Sequence, residues 1–141
     1  MRIARIGSAG HEKPAVVLGD EYILVDSLIS DWSRETLEAG AMATVAAADL
    51  SGLPRVAKGS TRIGSPINRP TKVICVGLNY LGHIKETNAD TPAEPVIFMK
   101  APDSVVGPND DIVIPPNSLA TDYEVELAIV IGKRALYLNS P

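Results

Sequence analysis

The chain has 141 residues, a net charge of −4 and 45% hydrophobic residues, enough for one ordinary domain or two small ones with a packed core. Its bases are scattered and its acids are in excess, which argues against a nucleic-acid partner and leaves no basic patch for a membrane surface. The apolar runs are too short to span a bilayer, and the single cysteine, Cys75, excludes an internal disulfide and a cysteine-based zinc site. With no signal peptide visible behind Met1, a reducing cytoplasm is the expected compartment.

Ile3 to Ile6, Ala15 to Leu18 and Tyr22 to Val25 read as short strands, punctuated by Gly7, Gly10, Pro14 and the Gly19-Asp20 turn. His11, between Gly10 and Glu12, reads as a surface-loop residue. Residues 31 to 50 are rich in Ala, Leu, Glu and Met and predict helix. Gly40 is expected to divide it in two, with Asp31 or Ser33 capping the first half. From Ser51 to Pro70 the composition shifts to Pro, Gly and polar residues, which predicts a crossing segment or linker and a domain boundary.

The second part opens with Val73 to Val76, an unbroken apolar run closed by Gly77 and expected to be a strand buried on both faces. A polar, helical stretch follows from Asn79 to about Thr87. Val96 to Met99 reads as a second buried strand, Gly107-Pro108-Asn109 as a turn, and Ile112 to Ile114 as a short strand. The last predicted strand runs from Asp122 to Ile131.

In that last strand Tyr123, Val125, Leu127, Ile129 and Ile131 make one apolar face. The other face carries Asp122, Glu124 and Glu126 and then turns apolar at Ala128. Carboxylates at the mouth of a buried region would repel unless a hard cation such as Mg²⁺, Mn²⁺ or Ca²⁺ joined them. The same spacing also suits an edge strand with a solvated acidic rim. His83 and Glu86, three apart on a helix, share a side. Glu86 can fix the imidazole tautomer and leave the other nitrogen as a base, or the two can be an incidental surface pair. Lys100, at the end of a buried strand, can hold an anionic substrate or simply reach to water.

These pieces occur in one order: Gly77-Leu78-Asn79-Tyr80, His83 with Glu86, Pro95 to Lys100, Gly107-Pro108-Asn109-Asp110, and Asp122-Tyr123-Glu124-Val125-Glu126-Leu127. Together they closely resemble the fumarylacetoacetate hydrolase family, from about Lys72 to Lys133. Arg5, Glu12-Lys13-Pro14 and Arg62-Ile63-Gly64 look most like the branch of ureidoglycolate lyases and 2,4-diketo-3-deoxy-sugar-acid hydrolases. The resemblance implies an α+β, mainly β chain. Residues 1–68 would form a small N-terminal α/β domain plus linker. Residues 69–141 would begin a catalytic domain with a mixed β-sandwich roll.

It further implies two metal-ligating glutamates, Glu124 and Glu126, for Mg²⁺ (or Mn²⁺ or Ca²⁺). His83 and Glu86 match a catalytic dyad on a mobile lid segment, Lys100 an active-site lysine, and Tyr80 and Phe98 positions that line the pocket. The implied reaction is metal-dependent hydrolysis or lysis of C–C bonds in 2-oxo acids or 1,3-dicarbonyl compounds, through a metal-stabilised enolate. The full-length protein would be a homodimer. The family's third metal ligand, an aspartate, falls downstream of the position matching Pro141. A shortened roll, and a catalytically incomplete fragment, is therefore the alternative expectation.

Overall fold

In a computed structural model, residues 1–139 are described. They divide into two compact units, one of residues 1–68 with 106 onward and the other of residues 69–105.

The first unit is built on an antiparallel sheet in which β1 (Arg2–Ile6), β2 (Lys13–Leu18), β3 (Glu21–Leu24) and β4 (Arg55–Ala57) neighbour one another in chain order. β2 and β3 are joined by the two-residue turn Gly19-Asp20, with Leu18 opposite Glu21. Gly19 sits at φ 55°, a conformation that favours glycine and sets the hairpin register.

Pairing places Ile3, Val16 and Ile23 on one face and Ala4, Ala15 and Leu24 on the other. Both faces are covered. On the first, Val16 packs with Val25, Trp32, Ala41 and Val45. On the second, Ala4, Ile6, Ala15 and Tyr22 form a cluster, with Val56 and Ile63 packed against it.

The helical stretch divides at Gly40 as expected, into α1 (Arg34–Glu38) and α2 (Ala41–Ala47). Gly40 takes φ 92°, so the first helix stops there. Of the two candidate caps, Ser33 serves. Its side chain accepts from the Thr36 amide while the Thr36 hydroxyl accepts from the Ser33 amide. Trp32 is fully buried beneath these helices, its Nε1 donating to the Ala15 carbonyl at 3.2 Å.

The segment from Ser51 to Pro70 is more structured than its composition suggests. It supplies β4, and Arg62–Gly64 runs along the outer edge of β1, with Gly7 N–H bonded to the Arg62 carbonyl and Gly64 N–H to the Arg5 carbonyl. Local propensity misses these pairings because the partner strands lie about 30 to 60 residues away in sequence.

In the second unit, β5 (Val73–Gly77) pairs antiparallel with β6 (Val96–Lys100), from Val73 opposite Lys100 to Gly77 opposite Val96. Their connection carries α3 (Leu81–Glu86), and a single 3₁₀ turn, Pro102–Ser104, follows β6. Both strands form where expected, but the expectation that they are buried on both faces is corrected. Ile74, Val76, Ile97 and Met99 share one face and are exposed. A two-stranded ribbon has no layer over that face among the described residues.

The strands expected at Ile112 to Ile114 and Asp122 to Ile131 do not form, and their apolar side chains are exposed. A strand persists only where another backbone edge completes its ladder, and the sheets of the described residues make no ladder with these segments.

Candidate functional site

Of the expected site residues, His83 and Glu86 are brought close to one another within the second unit. α3 begins after Tyr80, which takes an extended backbone conformation. Ile84 is its buried residue and anchors the helix, leaving His83 and Glu86 on the solvent side. His83 Nδ1 lies 3.7 Å from Glu86 Oε2, within ion-pair range and longer than a hydrogen bond. The Thr87 hydroxyl and amide both donate to the His83 carbonyl, at 2.9 and 3.0 Å, and close the helix end.

Lys100 and Phe98 lie on the face of the β5–β6 ribbon that also carries Val73, Cys75 and Gly77. A Cβ at Gly77 would stand 3.4 Å from Val96 Cγ1 and 3.7 Å from Phe98 Cε1, ordinary van der Waals contacts that place Phe98 beside Gly77 on that face. Tyr80, Phe98 and Lys100 are all solvent-exposed. Five of the seven expected site residues therefore fall within residues 80–100.

Glu124 and Glu126 lie in the other unit, in an irregular, exposed segment rather than at the mouth of a buried region. Their carboxylates have the hard oxygen donors that Mg²⁺, Mn²⁺ or Ca²⁺ take. No group of three or more His, Cys, Asp or Glu side chains that could hold a metal ion is found among the described residues. The residues present thus offer two donors and not a completed metal site.

A second polar constellation lies wholly in the first unit, and sequence reasoning found only part of it. Arg5, 5% exposed, grips Asp31 through Nε and Nη2 at 2.7 and 2.9 Å. Its Nη2 also reaches Glu12 Oε2 at 3.3 Å. Arg62 binds the other Glu12 oxygen at 2.6 Å and holds Asp110 through two hydrogen bonds. Asn68 Nδ2 donates to Asp31 at 2.8 Å, and Gly107 N–H donates to Asp110 at 2.7 Å.

Burial pulls the Glu12 carboxyl upward, but the Arg62 hydrogen bond, its own backbone amide and the Arg5 and Arg62 charges hold it below the usual range. Asp110 is likewise lowered, by the Arg62 hydrogen bond first and the Gly107 amide second. Arg62 is raised by the same two carboxylates, Asp110 foremost. Arg5, Glu12 and Arg62 stand out in the sequence only by resemblance. Nothing in the local pattern marks Asp31, Asn68 or Asp110 as their partners.

The family profile described as "Fumarylacetoacetate (FAA) hydrolase C-terminal" matches residues 72–139. The chain belongs to the fumarylacetoacetate hydrolase family. It is 38% identical over 140 residues to a 2,4-didehydro-3-deoxy-L-rhamnonate hydrolase of Sphingomonas sp. (strain SKA58), covering 99% of this chain and 47% of that protein. A mitochondrial oxaloacetate tautomerase of Bos taurus is 44% identical over 108 residues, 75% of this chain and 34% of the tautomerase.

Among solved structures, maleylpyruvate hydrolase from Sphingobium sp. SYK-6, in complex with manganese(II) and pyruvate, superposes with a TM-score of 0.61 at 25% identity. That match covers 82% of this chain and 43% of the hydrolase. The chain thus spans less than half the length of each of these relatives, and it shares with this fumarylacetoacetate hydrolase-type structure an α+β, mainly β fold. None of its described helices is long and apolar enough to cross a membrane.

Proposed function

We propose that this chain carries part of the active site of a metal-dependent hydrolase or lyase acting on C–C bonds of 2-oxo acids or 1,3-dicarbonyl compounds. The observation that carries the reading is the His83–Glu86 pair, 3.7 Å apart on a helix inside the segment matched to the family. Closure of that 3.7 Å gap would let Glu86 accept from Nδ1–H and leave His83 Nε2 free to activate water or move a proton at the reacting carbon. Lys100, at the end of β6, neutralises the anionic oxo acid, and Tyr80 and Phe98 give the substrate an aromatic wall. The names of the relatives support the substrate class, since one takes a didehydro-deoxy sugar acid and another is seen with pyruvate.

Glu124 and Glu126 are the residues here that would hold a divalent cation, Mg²⁺, Mn²⁺ or Ca²⁺. When bound, that ion supplies Lewis acidity to the substrate oxygens. Since the described residues bring no third ligand to them, the working site needs a donor beyond those gathered here. In this reading residues 1–68 are a small N-terminal domain with linker, residues 69–141 are the first part of the catalytic domain, and the full-length protein is a homodimer.

The test is cleavage of acylpyruvates and 2,4-diketo-3-deoxy sugar acids by a full-length form with Mg²⁺ or Mn²⁺. His83→Ala and Glu124→Ala should each abolish turnover, and retention of activity in both would refute the assignment. Calorimetric titration of the 141-residue chain with Mg²⁺ or Mn²⁺ separates a site completed by this chain, which binds at micromolar concentration, from an incomplete one, which does not bind.

A further inference from the structure

The charged chain Asp31–Arg5–Glu12–Arg62–Asp110 ends at two places with something in common. Residues 69–105 leave the first unit after Asn68 and return to it at Val106. The exit is tied to one end of the chain: Asn68 Nδ2 donates to Asp31 at 2.8 Å, and the Asn68 amide donates to the Trp32 carbonyl at 2.7 Å. The return is tied to the other end. Asp110 accepts from Arg62 through both oxygens and from the Gly107 amide, and the Asp110 amide closes the same turn on the Gly107 carbonyl at 3.1 Å. Two glycines permit the close approach. A Cβ on Gly107 would run into the Ile63 carbonyl oxygen, and a Cβ on Gly64 would meet Glu12 Cγ at 2.8 Å.

We infer that this charged chain is a positioning clamp: it fixes, as one coupled element of the first unit, both points at which residues 69–105 are tethered. Glu12 is its keystone. Its side chain is 7% exposed and has one oxygen on each of the two guanidiniums, so it joins the exit half to the return half. Arg62 makes the corresponding link between Glu12 and the 107–110 turn. Two planar guanidiniums held by three carboxylates leave each partner few alternative geometries, which suits a device whose output is position. Replacement of one member strands the remaining charges in a part-buried setting, so a cut at one place should loosen the whole run. The purpose of the clamp rests on the functional reading above, since the tethered unit is the one that carries His83, Glu86 and Lys100.

Amide hydrogen exchange on the 141-residue chain tests it without reference to activity, so failure of the clamp and failure of the enzymatic reading are distinguishable. The first variant is Asp110→Asn, at the more exposed end, and the second is Glu12→Gln, at the centre. The reporter for Asp110→Asn is the Asn68 amide at the far end, because the Gly107 amide is bonded to the substituted side chain itself. The controls are the Leu24 and Val25 amides, bonded to the Pro54 and Pro14 carbonyls inside the sheet unit. The clamp predicts that both variants speed exchange at Asn68 by about tenfold or more while the controls change by less than about twofold. A change confined to the 107–110 turn would overturn the proposal. So would an equal acceleration at Asn68, Leu24 and Val25, which would mean general loss of stability. Because Asp110 is a peripheral member, that variant keeps the question open to measurement even if Glu12→Gln fails to fold.

Discussion

Trp32 is the only tryptophan in the chain and is fully buried, so its fluorescence reports directly on how α2 covers the sheet. Val45, 1% exposed on α2, packs in the same cluster. Val45→Ala removes two methyl groups, worth about 1.6 kcal/mol of transfer free energy at roughly 0.8 kcal/mol each. A residual void of about 20–40 Å³ adds roughly 0.5–1 kcal/mol. Alanine, the better helix former, returns about 0.5 kcal/mol. The net loss is about 2 kcal/mol, equivalent to roughly 8–16 °C in Tm for a unit of 60–100 residues. Urea unfolding followed by Trp32 emission should show this as a lower midpoint at unchanged slope. Met42→Ala, on the same helix but 41% exposed, should stay within about 0.5 kcal/mol. If Val45→Ala cost no more than Met42→Ala, α2 would not be seated over Val16 and Trp32, and the packing described for that sheet face would be wrong.

Acidification should weaken the first unit in a defined direction. Glu12 and Asp110 have folded pKa values below their ordinary ones. Their contribution is therefore complete above the ordinary carboxylate pKa of about 4 and is lost as pH falls through the lowered values. Urea midpoints measured from pH 7 down to pH 3 should fall at the acid end, and Arg62→Gln should flatten that limb by removing the charge both carboxyls answer to. Gly107→Ala should cost about 1–3 kcal/mol, because the new Cβ meets the backbone oxygen of Ile63 rather than a movable side chain. A midpoint within error of wild type would show that the 107–110 turn does not approach Arg62–Gly64 as described.

The sheet hairpins, the divided helix and the family were all legible in the amino-acid sequence, because each rests on short-range chemistry. Gly19-Asp20 can be read as a turn, Gly40 as a helix break and Asp31 or Ser33 as a cap without knowing what lies across the fold. The candidate site residues were legible partly in the same local way and partly through the family resemblance. His83 and Glu86 pair as neighbours on one helical turn and Lys100 stands out at a strand end, whereas Phe98 comes from the resemblance alone. What depended on distant partners was not legible. β4 and the Arg62–Gly64 edge were hidden in a stretch that looked like linker, because their ladder partners are β3 and β1.

The strand expected from Asp122 to Ile131 shows the converse. Its alternating pattern is plain, yet it joins neither sheet of the described residues, and Glu124 and Glu126 lie exposed. The sequence by itself pointed to the family, to the candidate site residues and to the segments that are helix or strand by habit. Tertiary structure alone decided which apolar runs are covered, which strands have an edge to bond to, and that Arg5, Glu12, Asp31, Arg62 and Asp110 form one charged run. The reason is physical: propensity and periodicity act over a few residues, whereas burial and ion pairing are settled by groups brought together from 7 to 50 positions apart.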